Sequence, residues 1–448
     1  MINQREERKD RGYRRRRVSG RSWGGRWTAL AALAVFLPAC DTDATNPGPV
    51  DGEFLRDADA QPALVRGMAR AYSEGHNWIG YTGAAVAREL HPAGSTGSFG
   101  IAVRWQAGRL EAEDDALNAH WNNAQQARWL ADEGIRIMQE EGAPDELLGE
   151  AFLWAGFANR LLGENYCQTT IDGSEPLPNT VHFERAEEAF TQAIQIGTPE
   201  VAEAARAGRA SIFVNQGRWP EAVNDANQIP GQGLLWEAEY FDGFGDPQRN
   251  RITWASFAEP YKAHTQWNTK YADIGFNPEM NPTGDPRTPW RFTEEVGDAA
   301  IPCCGNVSWW PQQKFPQPES NIPLAQREEM RLIEAEDMLR NGAWQEAIEH
   351  INSEIRIPAG VPETSASSSE EAWSLLKHER GIVLWLQARR LADLRRWRDN
   401  NTPGALDELE QIGPNTNLER QDLCFPIARS EQDTNNNVPL MEGPGPGS

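Results

Sequence analysis

The sequence predicts a mostly α-helical protein: helical hairpins stacked into an α/α superhelix, with little β structure and one long irregular insertion. Three observations predict it. Apolar residues recur at three-and-four spacing over most of residues 58–229 and 324–398. The turn Gly-x-Trp-x-Glu-Ala occurs twice, at Gly217 and at Gly342. Residues 230–323 are rich in Trp, Pro and Gly and sustain no helical period beyond two turns.

The chain opens on a basic leader, with Arg14 to Arg17, Arg21 and Arg26, followed by an apolar run from Thr28 to Leu37. A positive segment, a short apolar segment and small residues before a cut site make residues 1–39 a secretory signal peptide. Ten apolar residues are too few to cross a bilayer core of about 30 Å, so the run is no permanent anchor. Leu37-Pro38-Ala39-Cys40 resembles a bacterial lipobox, in which the Cys is acylated and becomes the first mature residue. Pro38 departs from the small residue usual there. Lipid on Cys40 would tether a body that needs no membrane span of its own, with residues 40–57 as an extended Pro/Asn/Asp-rich linker.

Helical spacing begins near Asp59, where Ala63, Leu64, Met68, Ala71 and Tyr72 share one face. A Gly/Ser-rich loop follows at His91 to Gly100. It has no Gly-Lys-Ser/Thr ending and no preceding apolar strand, so it is not a phosphate loop. From Glu113 to Glu141 one stripe runs through Leu117, Trp121, Ala124, Ala127, Ala131, Ile135 and Met138, and Gly142 closes it. Further helices are expected over 145–162, 183–196 and 199–215. After the insertion, helix is expected from Leu324 to Arg340, then through Ile355, and again from Glu370 to Arg398. In tetratricopeptide-type hairpins a Gly ends the first helix while an aromatic and an Ala open the second, which is the pattern at Gly217 and Gly342. Residues 399–448 read as a turn-rich tail.

Composition narrows function. Of 43 Lys/Arg and 66 Asp/Glu, the leader holds ten and three, so the mature chain carries 33 against 63, a net charge near −30. That charge disfavours nucleic acid and anionic membrane surfaces as partners. Sixteen of 18 Trp follow Cys40. Most Trp in a large helical protein are core, and Trp121, Trp129, Trp154, Trp344 and Trp397 lie on helical stripes. The excess also points to flat aromatic platforms on which the C–H faces of sugars stack. Four further cysteines remain, Cys167, Cys303, Cys304 and Cys424. Cys303–Cys304 and Cys167–Cys424 are both open as disulfides in an exported protein. No C-x-x-C or nearby His completes a tetrahedral set, so no metal and no cofactor is expected.

Four stretches together resemble the SusD/RagB family of outer-membrane nutrient-binding lipoproteins. They are Cys40 to Pro47; Phe315 and Ile322 to Glu329 with Leu332 to Glu336; His378-Glu379-Arg380 with Gln387 to Trp397; and Phe425-Pro426-Ile427 with Glu431, where Ala428 replaces the family's second Pro. The stretch around Asp393-Leu394-Arg395-Arg396-Trp397 is the most specific. The resemblance implies a tetratricopeptide-like fold. It also implies a place on the outer membrane as the lid of a TonB-dependent (SusC-like) transporter, and binding of a glycan or other nutrient without catalysis. In such proteins the two irregular regions meet at the ligand face, which nominates Trp78, Phe99, Arg104 and Trp105 from the first and Trp309 and Trp310 from the second. Glu379, Arg380, Asp393, Arg395 and Arg396 are expected to be scaffold ion pairs. Two other functions are open to a chain of this composition. An envelope glycan hydrolase would use paired carboxylates, which any chain this acidic contains, and the sequence has neither H-E-x-x-H nor Gly-x-Ser-x-Gly. A tetratricopeptide scaffold binding only protein would not need the Trp-rich insertion.

Overall fold

The computed structural model describes residues 54–94, 103–231, 233–242, 249–253, 262–301, 304–413, 416, 418–445 and 447. The expected signal peptide, Cys40 and most of the expected linker lie outside them. The described residues fall within one unit, Val50–Ser448.

Helix α1, Gln61–Val86, has Pro62 in its first turn and is buried on nearly every side from Tyr72 onward. It packs on α3, Asn118–Glu140, and α4, Asp145–Asn165. A short strand β1, His91–Pro92, and the single turn α2, Val103–Gln106, lie between α1 and α3. The β2–β3 hairpin pairs Gln168–Thr169 with Leu177–Pro178 and leads into α5, Thr180–Ile196. Then come α6, Pro199–Asn215, and α7, Trp219–Ala226. Neighbouring helices pack in sequence, α3 on α4, α4 on α5, α5 on α6 and α6 on α7.

The repeated turn has one geometry. Gly217 and Gly342 sit at φ +72° and +82°, a region that costs residues with a Cβ. At each, the Gly N–H donates to the carbonyl three residues back, Val214 and Leu339, and the next N–H donates to the carbonyl five back, Phe213 and Met338. Gly142 closes α3 in the same way, through Gln139 and Met138. This Schellman pattern ends a helix and redirects the chain at a fixed angle.

Strand β4, Leu235–Ala238, pairs antiparallel with β6, Ile322–Gln326, and so closes the insertion at its base. Between them lie β5, His264–Thr265, and α8, Lys270–Ile274. Helix therefore begins not at Leu324 but at Arg327, since Ile322 to Gln326 are claimed by a partner strand about 90 residues earlier. Helices α9, Arg327–Arg340, and α10, Trp344–Ile351, form the second Gly-turn hairpin, and a π-helical turn carries the chain on to Arg356. The expected helix over 370–398 is two helices, α11, Ser369–Val383, and α12, Arg390–Asp399. They are broken where Leu386 and Ala388 take φ +61° and +60°. Buried Glu89 holds that break: its carboxylate accepts from Leu386 N at 3.0 Å and its carbonyl from Trp385 Nε1 at 3.2 Å. The last helix is α13, Arg429–Thr434.

One large core joins α1, α3–α7, β4, β6 and the Leu423–Ala428 segment. A second, with Leu332, Ile348, Ile351, Trp373 and Leu376, lies among α9, α10 and α11. Cys167 and Cys424 form a disulfide with Cα atoms 5.6 Å apart, tying the end of α4 to the C-terminal tail. Cys303 is outside the described residues, and Cys304 is exposed.

Of the five Trp assigned to stripes, Trp121, Trp154 and Trp397 are buried and Trp344 is half-buried against the second core. Trp129 departs, with 50% of its surface open. At about 100° per residue it lies roughly 140° from the α3 stripe, so it faces outward.

Candidate ligand-binding site

The last third of α1 carries Trp78. Its ring stands 5.5 Å from the imidazole of His120 on α3, and the same imidazole lies 5.5 Å from both Trp105 and Phe425. His120 accepts from or donates to Thr82 Oγ1 at 2.6 Å. Burial, with the nearby Arg251 charge, pushes its pKa down to about 3, so it packs as a neutral ring. Arg251 lays its guanidinium 3.6 Å over Trp78, a cation–π contact that occupies one face of that indole. Trp105 is buried and donates from Nε1 to Asp114 at 3.0 Å. Exposed Arg104 pairs with the same carboxylate. Trp105 thus props the loop, Trp78 remains half-open, and Phe99 lies outside the described residues.

The second cluster is built on β5. Thr265 Oγ1 accepts from the backbone N–H of Trp310 at 2.9 Å and of Trp267 at 3.0 Å, and Gln266 N donates to Trp310 O at 2.8 Å. Trp309 and Trp310 are consecutive in extended chain, so their rings point to opposite sides. Trp309 turns inward and is 4% exposed, packing with Ala93, Ile301 and Val307. Trp310 turns outward, half-buried, and stacks on Trp290 with centroids 5.1 Å apart and planes 26° from parallel. Half-buried Phe292 flanks it at 6.2 Å.

Buried contacts join the elements that carry the two clusters. Strand β1, just after α1, pairs with β5, His91 opposite Thr265 and Pro92 opposite His264. His91 meets Trp267 edge-on at 5.1 Å, and Tyr81 of α1 lies 4.3 Å from His264. Sequence reasoning nominated neither Trp267, Trp290, Phe292, Tyr81 nor Arg251. The Trp content of the insertion was a signal for the first two; Arg251 over Trp78 had none. Among the described residues, no group of three or more His, Cys, Asp or Glu is arranged to hold a metal ion.

The charges of the C-terminal stretch lie elsewhere and face inward. Asp393 accepts two hydrogen bonds from Arg380, at 2.9 and 3.0 Å, and one from Arg396, which also grips Glu336. Arg389 joins Glu329 and Glu164, Arg390 joins Glu410, and Glu379 joins Arg287 of the insertion at 2.8 Å. Burial alone would raise the Asp393 carboxyl, but Arg380 and Arg396 outweigh it and hold the pKa far below the usual carboxylate range. These groups lock α11 and α12 to α4, α9 and the insertion, and every carboxylate has a partner already.

The family model described as the SusD family matches residues 249–440. Over these residues, fewer than half of the chain, the sequence is similar to the SusD family. No curated protein matches the sequence. Solved structures extend the likeness across the fold. A SusD superfamily protein from Bacteroides vulgatus ATCC 8482 superposes with a TM-score of 0.61 at 17% identity, covering 88% of this chain and 99% of that one. One from Bacteroides thetaiotaomicron VPI-5482 gives 0.62 at 14%, covering 86% and 99%. A SusD-like carbohydrate binding protein from Bacteroides fragilis NCTC 9343 gives 0.59 at 13%, covering 87% and 99%. At these identities the SusD likeness speaks for the fold.

Proposed function

We propose that this protein is a surface-tethered outer-membrane lipoprotein, acylated on Cys40, that binds an oligosaccharide and passes it to a TonB-dependent transporter. It is a binding protein and not an enzyme. The observation that carries the reading is the half-buried Trp310, backed by Trp290 and flanked by Phe292. A stacked indole pair presents a rigid apolar platform, and a sugar ring laid on it loses little conformational freedom. Trp105 and Trp309 act from beneath, as supports. The likeness of residues 249–440 to the SusD family and the carbohydrate-binding description of a protein with this fold support the ligand class.

The test is a glycan panel titrated against the purified mature chain, with turnover followed in the same samples. Saturable binding without product is expected. Hydrolysis of any member overturns the reading as a binding protein, and saturable binding of peptides in place of glycans overturns the ligand class. Co-purification from the membrane with a TonB-dependent transporter tests the partner, and a Cys40→Ala chain recovered in the soluble fraction, unless held by that partner, tests the anchor.

A further inference from the structure

A second platform lies on the helical side. Trp129 is the one Trp among the described residues that counts as exposed, and it stands in a groove of about 380 Å³ between α3, the β2–β3 hairpin and α13. None of the residues lining it is among Trp78, Arg104, Trp105, Trp309 and Trp310.

Hydrogen bonds hold part of its wall, while other polar atoms of its lining are open. Arg128, buried beneath, donates to Gln125 at 3.0 Å, Asp132 at 2.9 Å and Asp172 at 2.7 Å, pinning the hairpin turn to α3. Gln125 holds Thr169 at 3.0 Å, and Glu431 Oε1 accepts from Thr170 at 2.9 Å and Asn435 at 2.8 Å. That leaves Asp172 Oδ2 and Glu431 Oε2 as acceptors, and Asn122 Nδ2, the Gln126 amide and the Trp129 Nε1–H as donors, with no partner among the described residues. An indole face beside amides and carboxylates matches a pyranose, which offers an apolar C–H face and a rim of hydroxyls. Apart from the two indoles the lining is polar or glycine, unlike the core of a protein–protein interface. The volume is at the small end of ligand clefts, about 300–1,000 Å³.

We infer that this groove is a second saccharide site, taking a mono- or disaccharide unit of a neutral glycan stacked on Trp129. Neutral is specific: Asp172 and Glu431 face the groove, and the guanidinium of Arg128 is engaged by three acceptors, so a uronate would meet uncompensated negative charge. The ligand class follows from the groove's own chemistry, so the two sites stand or fall separately.

The experiment titrates the full mature chain with neutral gluco-, galacto- and manno-configured oligosaccharides and with oligogalacturonate, by calorimetry. Trp129→Ala, Gln126→Ala and Trp310→Ala are run beside the wild type. Trp129→Ala is expected to weaken at least one neutral ligand by about tenfold, Gln126→Ala by less, with unfolding temperature unchanged and oligogalacturonate unbound at this site. A loss in Trp129→Ala with Trp310→Ala unaffected supports this site and counts against the first. Isotherms of Trp129→Ala that match the wild type for every ligand overturn the inference, as does a Trp129-dependent preference for the uronate. Absence of binding to the whole panel overturns both sites.

Discussion

The C-terminal helices and the Trp-rich insertion use conspicuous residues in opposite ways. In the former, charge is buried and closed: Arg380, Arg389, Arg390 and Arg396 each grip a carboxylate, and every one is under 10% exposed. In the latter, aromatic surface is raised and partly open, with Trp309 turned in and its neighbour Trp310 turned out. A strongly charged motif at helical spacing therefore marks the scaffold. The proposed binding surface is marked by partly open indoles, and residue type alone does not separate the two.

Acidification is the broadest way to break that contrast, and the largest effect expected. Burial holds His76 at about 4 and His91, His120, His182 and His264 at about 3. Below the ordinary value of 6.5 the unfolded chain takes up these protons first, so each His costs about 1.4 kcal/mol of stability per pH unit between 6.5 and its folded value. Glu410, which burial would raise, is held at about 2 by Arg390 and Lys270, so its contribution is present above 4.5 and is lost as pH falls toward 2. Because His91 and His264 sit on the β1–β5 pair, helices and insertion should fail together. Denaturant melts from pH 7 to 4 check this; a midpoint independent of pH would contradict it.

Asp393→Ala separates the regions. It strips the shared partner from Arg380 and Arg396 and should cost about 3–5 kcal/mol by urea unfolding. Glycan affinity of the fraction that remains folded should not change. Reducing the Cys167–Cys424 bond comes next. It closes 257 residues of chain, and its loss should cost about 2–4 kcal/mol, read as a lower unfolding temperature under reductant.

The helical part was legible where local chemistry decides. α6 runs over the expected 199–215 because Thr198 caps it, its hydroxyl accepting from Val201 N, and Pro199 opens it. The Gly turns were legible because positive φ is written in the residue. What escaped depends on distant partners. Ile322 to Gln326 follow β4 into a strand, and the break at Leu386 and Ala388 is held by Glu89, nearly 300 residues away. The candidate site was legible only as a region rich in Trp: which indole is buried depends on strand alternation, and Arg251 reaches Trp78 only through the fold. Trp129 was misassigned by counting it with the stripe it opposes.

The smallest effect in energy bears most directly on the division between closed scaffold and open platform. Calorimetry of Trp310→Ala and Trp309→Ala with the glycan that wild type binds, beside their unfolding temperatures, measures it. The account predicts that Trp310→Ala weakens binding by about tenfold, or 1.4 kcal/mol, with stability unchanged. Trp309→Ala should lower stability by about 3–5 kcal/mol as a buried indole is lost. Wild-type affinity in Trp310→Ala would contradict it.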